Sequence, residues 1–231
     1  MDDIHIQSGY RNRVTLFIYY GMCALVLLGT GIFLLHGNWE SAVGTVLIFI
    51  LMFVPSVLKT RYRLYLPFAL DFGIVAFIFF TLFLGEIGQF YDRILFWDKF
   101  LHFQSGLLLG AAGYVLVYIL NEHQKLKLDL SPALISIFAV TFSLSIGVIW
   151  EMFEFAADSY FSQHIANHPY FQESNIDTMW DLIAAGGGAL IVSVAGYFWM
   201  FRHKRLPFTP QLLRIFKKRL KINLKSEGES S

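Results

Sequence analysis

The chain has 231 residues, of which 56% are hydrophobic and only 15% are charged, and its formal net charge at pH 7 is +1. Soluble domains carry about a quarter charged residues, so this composition excludes an ordinary soluble domain. Cys23 is the only cysteine, which excludes an intramolecular disulfide and a cysteine-based metal site. The composition therefore predicts an all-α, polytopic membrane protein.

Six apolar blocks follow one another along the chain, at residues 14–35, 41–58, 64–84, 100–120, 133–155 and 181–201. Each is close to the roughly 20 residues that a helix needs to cross the hydrocarbon core of a bilayer. The predicted domains are a cytoplasmic N-terminus at 1–13, a six-helix transmembrane domain at 14–201 and a basic cytoplasmic tail at 202–231. Within the tail, residues 210–225 alternate apolar with basic side chains, which predicts an amphipathic helix on anionic lipid headgroups and not a nucleic-acid site.

The charges are segregated between the two sides of the predicted membrane domain. Lys and Arg concentrate on the cytoplasmic side of membrane proteins. With the N-terminus inside, 16 of the 18 Lys and Arg fall in cytoplasmic segments, and 10 of the 17 Asp and Glu fall on the outer side. This distribution predicts an N-in, C-in topology. It also predicts that the polar ends of the fourth, fifth and sixth blocks share the outer face.

The first of these polar ends contains Asp98 and His102, one helical turn apart at the start of the fourth block. An Asp at a helix N-terminus can cap free amides, and a lone His in an apolar helix is commonly a hydrogen-bonded core residue. A His with several carboxylates on the same side is also an ordinary ligand set for Zn, Mn or Fe. We therefore predict His102 as a metal ligand, and Asp98 or Asp177 as a general base or as a residue that orients a metal ligand.

The second polar end, at the close of the fifth block, carries Glu151 and Glu154. If the helix ends here, its dipole disfavours both negative charges, and the two carboxylates also repel each other. The alternative is that the helix has already ended and that water solvates both side chains. Because ionisable groups at membrane depth are usually functional, we predict both as metal ligands.

The third polar end opens the sixth block with Asp177 and Asp181. Asp177 is either a helix cap or a general base, and Asp181 is a predicted metal ligand. Small residues continue each motif into the membrane, with Gly110, Gly147 and Gly188 among them. Because small residues let transmembrane helices approach closely, this pattern predicts that the three helices pack against one another.

Asp71 is the only charge well inside an apolar block. It could pair locally with a hydroxyl group or with Arg63, or it could serve as a station on an ion or proton path. The sequence leaves both interpretations open.

Three motifs in order resemble those of the YjdF-like predicted bacterial inner-membrane proteins: Asp-Lys-x-x-His-Phe at 98–103, Trp-Glu-x-x-Glu at 150–154, and Asp-x-x-x-Asp with a Gly-rich helix at 177–188. The resemblance covers residues 97–194, and it is looser to the VanZ-like proteins. It implies an integral inner-membrane protein without an established reaction. VanZ-like proteins are associated with glycopeptide-antibiotic resistance, but their pattern has Gln where this chain has Glu154, so that role is not carried over.

These observations favour an integral membrane protein with an acidic, metal-binding site at the outer face. The leading hypothesis is a hydrolase or transferase that acts on a lipid or lipid-linked envelope molecule with a divalent metal held by His102, Glu151, Glu154 and Asp181. One alternative is a transporter or cation-binding protein that uses the outer carboxylates and Asp71. Another is a non-catalytic membrane factor whose acidic cleft docks a partner.

Overall fold

A computed structural model of the chain describes residues 2–61, 68–122, 130–164, 171–172 and 174–203. Every regular element in these ranges is helical. The helices are α1 (Asp2–Leu35), α2 (Trp39–Met52), α3 (Val54–Arg61), α4 (Phe68–Ile78), a π-helical segment (Phe79–Ile87), α5 (Phe90–Arg93), α6 (Trp97–Glu122), α7 (Pro132–His164) and α8 (Asn175–His203). The predicted amphipathic segment at 210–225 lies outside the described residues.

Six of the helical stretches are long and apolar enough to cross a membrane, which confirms the predicted all-α polytopic class. They are Arg13–Leu35, Trp39–Arg61, Ala69–Ile87, Trp97–Val117, Pro132–His164 and Asn175–His203. The second stretch combines α2 and α3 across a break at Phe53. Pro55 accounts for the break, because a proline supplies no N–H for the helical hydrogen bond and its ring collides with the preceding turn.

The fifth and sixth helices extend further than the sequence predicted. The fifth apolar block was expected to end at residue 155, but α7 continues to His164, and α8 begins at Asn175 instead of near residue 181. The added part of α7 contains neither Gly nor Pro, so nothing in it interrupts a helix. As a result, Glu151 and Glu154 lie well inside α7. The expectation that they occupy its C-terminal end, against the helix dipole, is wrong.

The chain forms two compact units, residues 1–108 and 109–231, and the division falls within α6. The core of the first unit consists of large apolar side chains from α1, α2, α4 and the π-helical segment, including Met22, Val26, Met52 and Phe79. A buried hydrogen bond of 2.9 Å between the hydroxyls of Thr30 and Thr45 ties α1 to α2. Side-chain volume therefore fills the space between the helices of this unit.

The second unit has a different core, in which small residues let the helices approach closely. The buried face of α7 carries Ala139, Ser143, Gly147 and Glu151 at a spacing of four residues. A Cβ atom added at Gly147 would lie 3.6 Å from Leu182 and 4.0 Å from Ala185, both on α8. This pairing shows that α7 and α8 pack as antiparallel neighbours, as the small-residue pattern predicts.

At the other end of the second unit, hydroxyl groups form hydrogen bonds between the helices. The Tyr114 hydroxyl on α6 donates to the carbonyl oxygen of Ser193 on α8 at 2.7 Å and is also hydrogen-bonded to Ser136 Oγ on α7. Ser193 Oγ in turn donates to the carbonyl oxygen of Ser136 at 2.6 Å. One tyrosine therefore connects α6, α7 and α8.

Candidate acidic site

In the first unit, Asp98 and His102 lie together on the first turns of α6. His102 Nε2 is 3.7 Å from Asp98 Oδ1, and Lys99 Nζ donates to Asp98 Oδ2 at 3.3 Å. Asp98 belongs to the first helical turn, where the helix dipole favours a negative charge. The ring of Trp97 packs against Phe90 at a centroid distance of 5.0 Å, and such aromatic residues commonly anchor helix ends at the membrane surface. The predicted pair therefore forms, and its imidazole is buried.

In the second unit, two predicted ligands are buried on facing helices. Glu151 on α7 is 5% exposed, and Asp181 on α8 is 3% exposed. Gly147 packs near Ala185, and Glu151 and Asp181 each lie one turn further toward the same end of the antiparallel pair. The register therefore puts both carboxylates at the same level of the α7–α8 interface.

A residue that sequence reasoning missed holds Glu151 in place. Gln172 Nε2 donates to Glu151 Oε2 at 2.9 Å and to the carbonyl oxygen of the same residue at 3.0 Å. This two-point contact fixes both the backbone and the carboxylate of Glu151. A single Gln in a polar connecting segment has no periodic pattern, so the sequence offered no signal for its role.

Asp158 positions this glutamine. Its two carboxylate oxygens accept hydrogen bonds from the backbone N–H groups of Phe171 and Gln172, each at 2.9 Å. Asp158 is itself buried on α7, two turns beyond Glu151. The sequence did contain a signal for it, since Glu151, Glu154 and Asp158 follow the spacing of one helical face. The assumption that the helix ends at residue 155 concealed that signal.

The remaining predicted residues have other surroundings. Glu154 Oε1 accepts a hydrogen bond from the indole N–H of Trp150 at 2.8 Å. Asp177 lies in the first turn of α8, and its backbone N–H donates to Ser174 Oγ at 3.2 Å. Their assignments as metal ligand and general base stay predictions.

Asp71, on α4 in the first unit, is paired with Lys59 of α3. The Lys59 ammonium lies 2.6 Å from Asp71 Oδ2, and the side chains are 30% and 21% exposed, respectively. Arg63, the partner considered from the sequence, lies outside the described residues. The charge that stood out in the third apolar block therefore has an opposite charge beside it.

Comparison with known proteins supports the membrane assignment. A family model described as "Predicted membrane protein (DUF2238)" matches residues 15–202, and the YjdF-like resemblance is consistent with that family. An uncharacterized protein of Thermotoga maritima is 28% identical over 120 residues, or 50% of this chain, and the match spans 59% of the relative's length. No solved structure matches. The looser VanZ-like resemblance stays a prediction. Because the family model covers most of the chain, the protein is an integral membrane protein that belongs to the DUF2238 family of predicted membrane proteins.

Proposed function

We propose that the protein binds a divalent cation at the acidic end of α7 and α8 and uses it to hydrolyse or transfer part of a lipid or lipid-linked envelope molecule. The proposed location is the bacterial inner membrane, with this end of the helices on the outer side, as the distribution of Lys and Arg predicts. With this topology, the site would lie on the side of the outer-leaflet headgroups.

The observation that carries this proposal is the burial of Glu151 and Asp181 at the same level of one helix–helix interface. Burial of a negative charge is costly unless opposite charge or hydrogen bonds offset it. A divalent cation between the helices would offset both carboxylates at once, and helical bundles build metal sites from such inward-facing acidic residues.

Gln172 and Asp158 give the proposed site the support that metal ligands need. A carboxylate ligand is commonly oriented by a hydrogen bond to one of its oxygens, and the loss of such a bond typically weakens metal binding about 10- to 100-fold. Gln172 makes that bond to Glu151, and Asp158 holds Gln172.

The sequence adds further roles that stay predictions. His102 and Glu154 are predicted ligands, and Asp98 or Asp177 is the predicted general base. A bound Zn, Mn or Fe ion would polarise a phosphoryl or carbonyl oxygen of the substrate and lower the pKa of a bound water. The protein side chains would orient the substrate and accept the proton of that water.

Metal content and thermal stability of the purified full chain test the proposal. A ligand that binds only the folded state stabilises it by about 2.7 kcal/mol at a hundredfold excess over its Kd. We expect the parent protein to carry stoichiometric metal and a chelator to lower its melting temperature. Glu151→Gln should lose both the metal and the chelator response, and Gln172→Leu should bind the metal at least about tenfold more weakly.

The matched control is Glu40→Gln, which removes an exposed carboxylate from the first turn of α2. This variant should keep the metal content and the chelator response of the parent. A parent protein that carries no metal and does not respond to chelators would contradict the proposal. With metal bound, release of water-soluble headgroups from labelled envelope lipids should occur with the parent and not with Glu151→Gln.

The second candidate, cation transport, shares the carboxylates and adds Asp71, whose pairing with Lys59 beside a cavity is the observation in its favour. Flux of the bound cation into proteoliposomes separates the two candidates. Transport requires that Asp71→Asn abolish the flux while metal binding persists. The proposed enzyme predicts that the parent shows no flux above empty liposomes.

A further inference from the structure

The first unit contains a cavity of about 350 Å³ between α1, the α2–α3 stretch and α4. All of its lining residues belong to this unit, so it is separate from the carboxylates of α7 and α8. The polar residues of the lining are Thr15, Tyr19, Tyr20, Ser56, Lys59 and Asp71. The cavity lies at the end of the helices that the charge distribution predicts to be cytoplasmic.

The ion pair in the cavity wall has unused hydrogen-bonding capacity. Lys59 approaches Asp71 through Oδ2 only, and within the described part of the chain this is the one hydrogen bond that the Asp71 carboxylate makes. An ammonium carries three donor hydrogens, and a carboxylate has two acceptor oxygens. One donor-rich group and one acceptor-rich group therefore lie side by side, and their charges sum to zero.

The rim of the cavity is exposed and consists of aliphatic and aromatic side chains. Leu16, Tyr20 and Phe53 line the cavity and are 46%, 64% and 39% exposed, respectively. In a transmembrane segment, side chains exposed in this way face lipid. A lipid in the adjacent leaflet can therefore reach the ion pair without leaving the membrane.

We propose that this cavity binds the headgroup of an aminophospholipid of the phosphatidylethanolamine type from the cytoplasmic leaflet. Such a headgroup carries a phosphate and a primary ammonium, and its net charge of zero matches that of the Lys59–Asp71 pair. The phosphate binds Lys59, and the ammonium donates to the free oxygen of Asp71. Both are charge-assisted hydrogen bonds, which are about twice as strong as neutral ones.

Charge and hydrogen-bonding capacity disfavour two other common headgroups. Phosphatidylglycerol lacks a cation for Asp71, and the quaternary ammonium of phosphatidylcholine has no N–H to donate. Ligand cavities range from about 300 to 1,000 Å³. A cavity at the lower end of that range holds a headgroup but not two acyl chains, so the chains extend past the apolar rim into the bilayer.

Native mass spectrometry of the delipidated full chain tests the assignment by titration with the three phospholipids. We expect phosphatidylethanolamine to bind about tenfold more tightly than phosphatidylcholine or phosphatidylglycerol, the ratio that corresponds to one strong polar contact. Asp71→Asn leaves Lys59 as the only charge of the pair. In this variant the preference should change to phosphatidylglycerol, a change that the loss of a purely structural ion pair does not produce.

A pair of variants on adjacent residues of α3 separates occupancy of the cavity from general effects on the helix. Ser56 lines the cavity, whereas Val57 is 56% exposed and does not line it. Ser56→Phe should abolish the preference for phosphatidylethanolamine by filling the space. Val57→Phe adds the same ring on the lipid side and should keep the preference.

Three results would overturn the assignment. Equal binding of the three lipids by the parent would show that Lys59 and Asp71 form a structural ion pair only. Equal behaviour of Ser56→Phe and Val57→Phe would show that the lipid binds elsewhere. If soluble phosphoethanolamine competes as well as the whole lipid, the ligand is a soluble metabolite and not a membrane lipid.

Discussion

The two units of the molecule surround their buried and partly buried charged side chains in opposite ways. In the first unit, Asp71 is beside Lys59, so the two charges neutralise each other. In the second unit, Glu151, Asp158 and Asp181 are all buried and all acidic. The partners that the structure records for Glu151 and Asp158 include amide N–H groups, which stabilise a carboxylate but carry no full positive charge.

The charges of the Lys59–Asp71 pair balance each other, whereas the buried charged groups named in the second unit all have the same sign. An ion pair needs no third component, so the protein can be stable with the Lys59–Asp71 pair alone. Several carboxylates buried close together create a negative potential that attracts a cation. The proposed cation site therefore belongs to the second unit, and the proposed site for a headgroup that carries both signs of charge belongs to the first.

The two units also differ in the size of the side chains that fill their cores. The core of the first unit consists of large side chains such as Met52 and Phe79, whereas the second depends on glycines and alanines at helix contacts. In a core of large side chains, flexible groups can change rotamer to accommodate a substitution. Where two backbones are in contact, no flexible group is available to move aside. Substitution of glycines should therefore reveal the largest difference between the units.

The largest effect is expected for Gly113→Leu in the second unit. A Cβ atom at this position would lie 3.0 Å from the Cα atom of Ala139 and 3.2 Å from the ring of Phe142. Overpacking costs typically 1–3 kcal/mol, and we expect about 3 kcal/mol here because the obstacle is backbone. Thermal unfolding in detergent measures the change.

Two glycines serve as controls for Gly113→Leu. Gly187, in the same unit, and Gly21, in the first unit, have no atom within 4 Å of an added Cβ. Gly187→Leu and Gly21→Leu should leave the melting temperature nearly unchanged. If all three variants melt alike, close backbone contact does not hold the second unit together.

An intermediate effect is expected when the ion pair of the first unit is broken. Lys59→Met leaves the Asp71 carboxylate without its opposite charge. For fully buried pairs this costs about 3–5 kcal/mol, and partial exposure of both side chains lowers our expectation to about 2 kcal/mol. Lys59→Met/Asp71→Leu removes both charges and should recover most of the lost stability, since apolar replacements of buried pairs are often neutral.

Thermal unfolding of the four proteins in this cycle gives the coupling free energy between the two residues. A double variant that is as unstable as Lys59→Met would show that Lys59 acts through its own packing and not through Asp71. The same double variant should also bind phosphatidylethanolamine no better than phosphatidylcholine. The cycle therefore distinguishes the stabilising role of the pair from its proposed role in binding.

Hydropathy and length alone were enough to predict the six transmembrane segments, because backbone in lipid must satisfy its own hydrogen bonds within helices. The same reasoning failed at the end of α7. A polar stretch after an apolar block was interpreted as a loop, whereas its residues continue the helix to His164. Membrane thickness limits the apolar part of a helix and not the helix itself.

The partners of the polar residues were harder to predict than the helices. Lys59 and Asp71 are separated by 12 residues, and their contact depends on how α3 and α4 pack, which hydropathy does not report. Gln172 reaches Glu151 from a segment 21 residues away, held there by Asp158. By contrast, the pairing of Asp98 with His102 follows from helical spacing alone and was predicted.

The smallest effects are expected when a single hydroxyl is removed, as in Tyr114→Phe, which takes one hydroxyl from the network that joins α6, α7 and α8. Hydrogen bonds between transmembrane helices contribute about 0.6 kcal/mol on average, and the Tyr114 hydroxyl makes two such contacts, so we expect a loss of about 1 kcal/mol. The aromatic ring is retained, so packing is unchanged and the loss of stability reports the hydroxyl alone.

Tyr197→Phe is the matched control, because the described part of the chain gives the Tyr197 hydroxyl no hydrogen bond. In the first unit, Thr30→Val removes the hydroxyl that donates to Thr45 and should cost about half as much as Tyr114→Phe, since one contact between helices is lost and not two. Equal losses for Tyr114→Phe and Tyr197→Phe would show that the network does not stabilise the unit, and the close contacts at Gly113 would then be its main support.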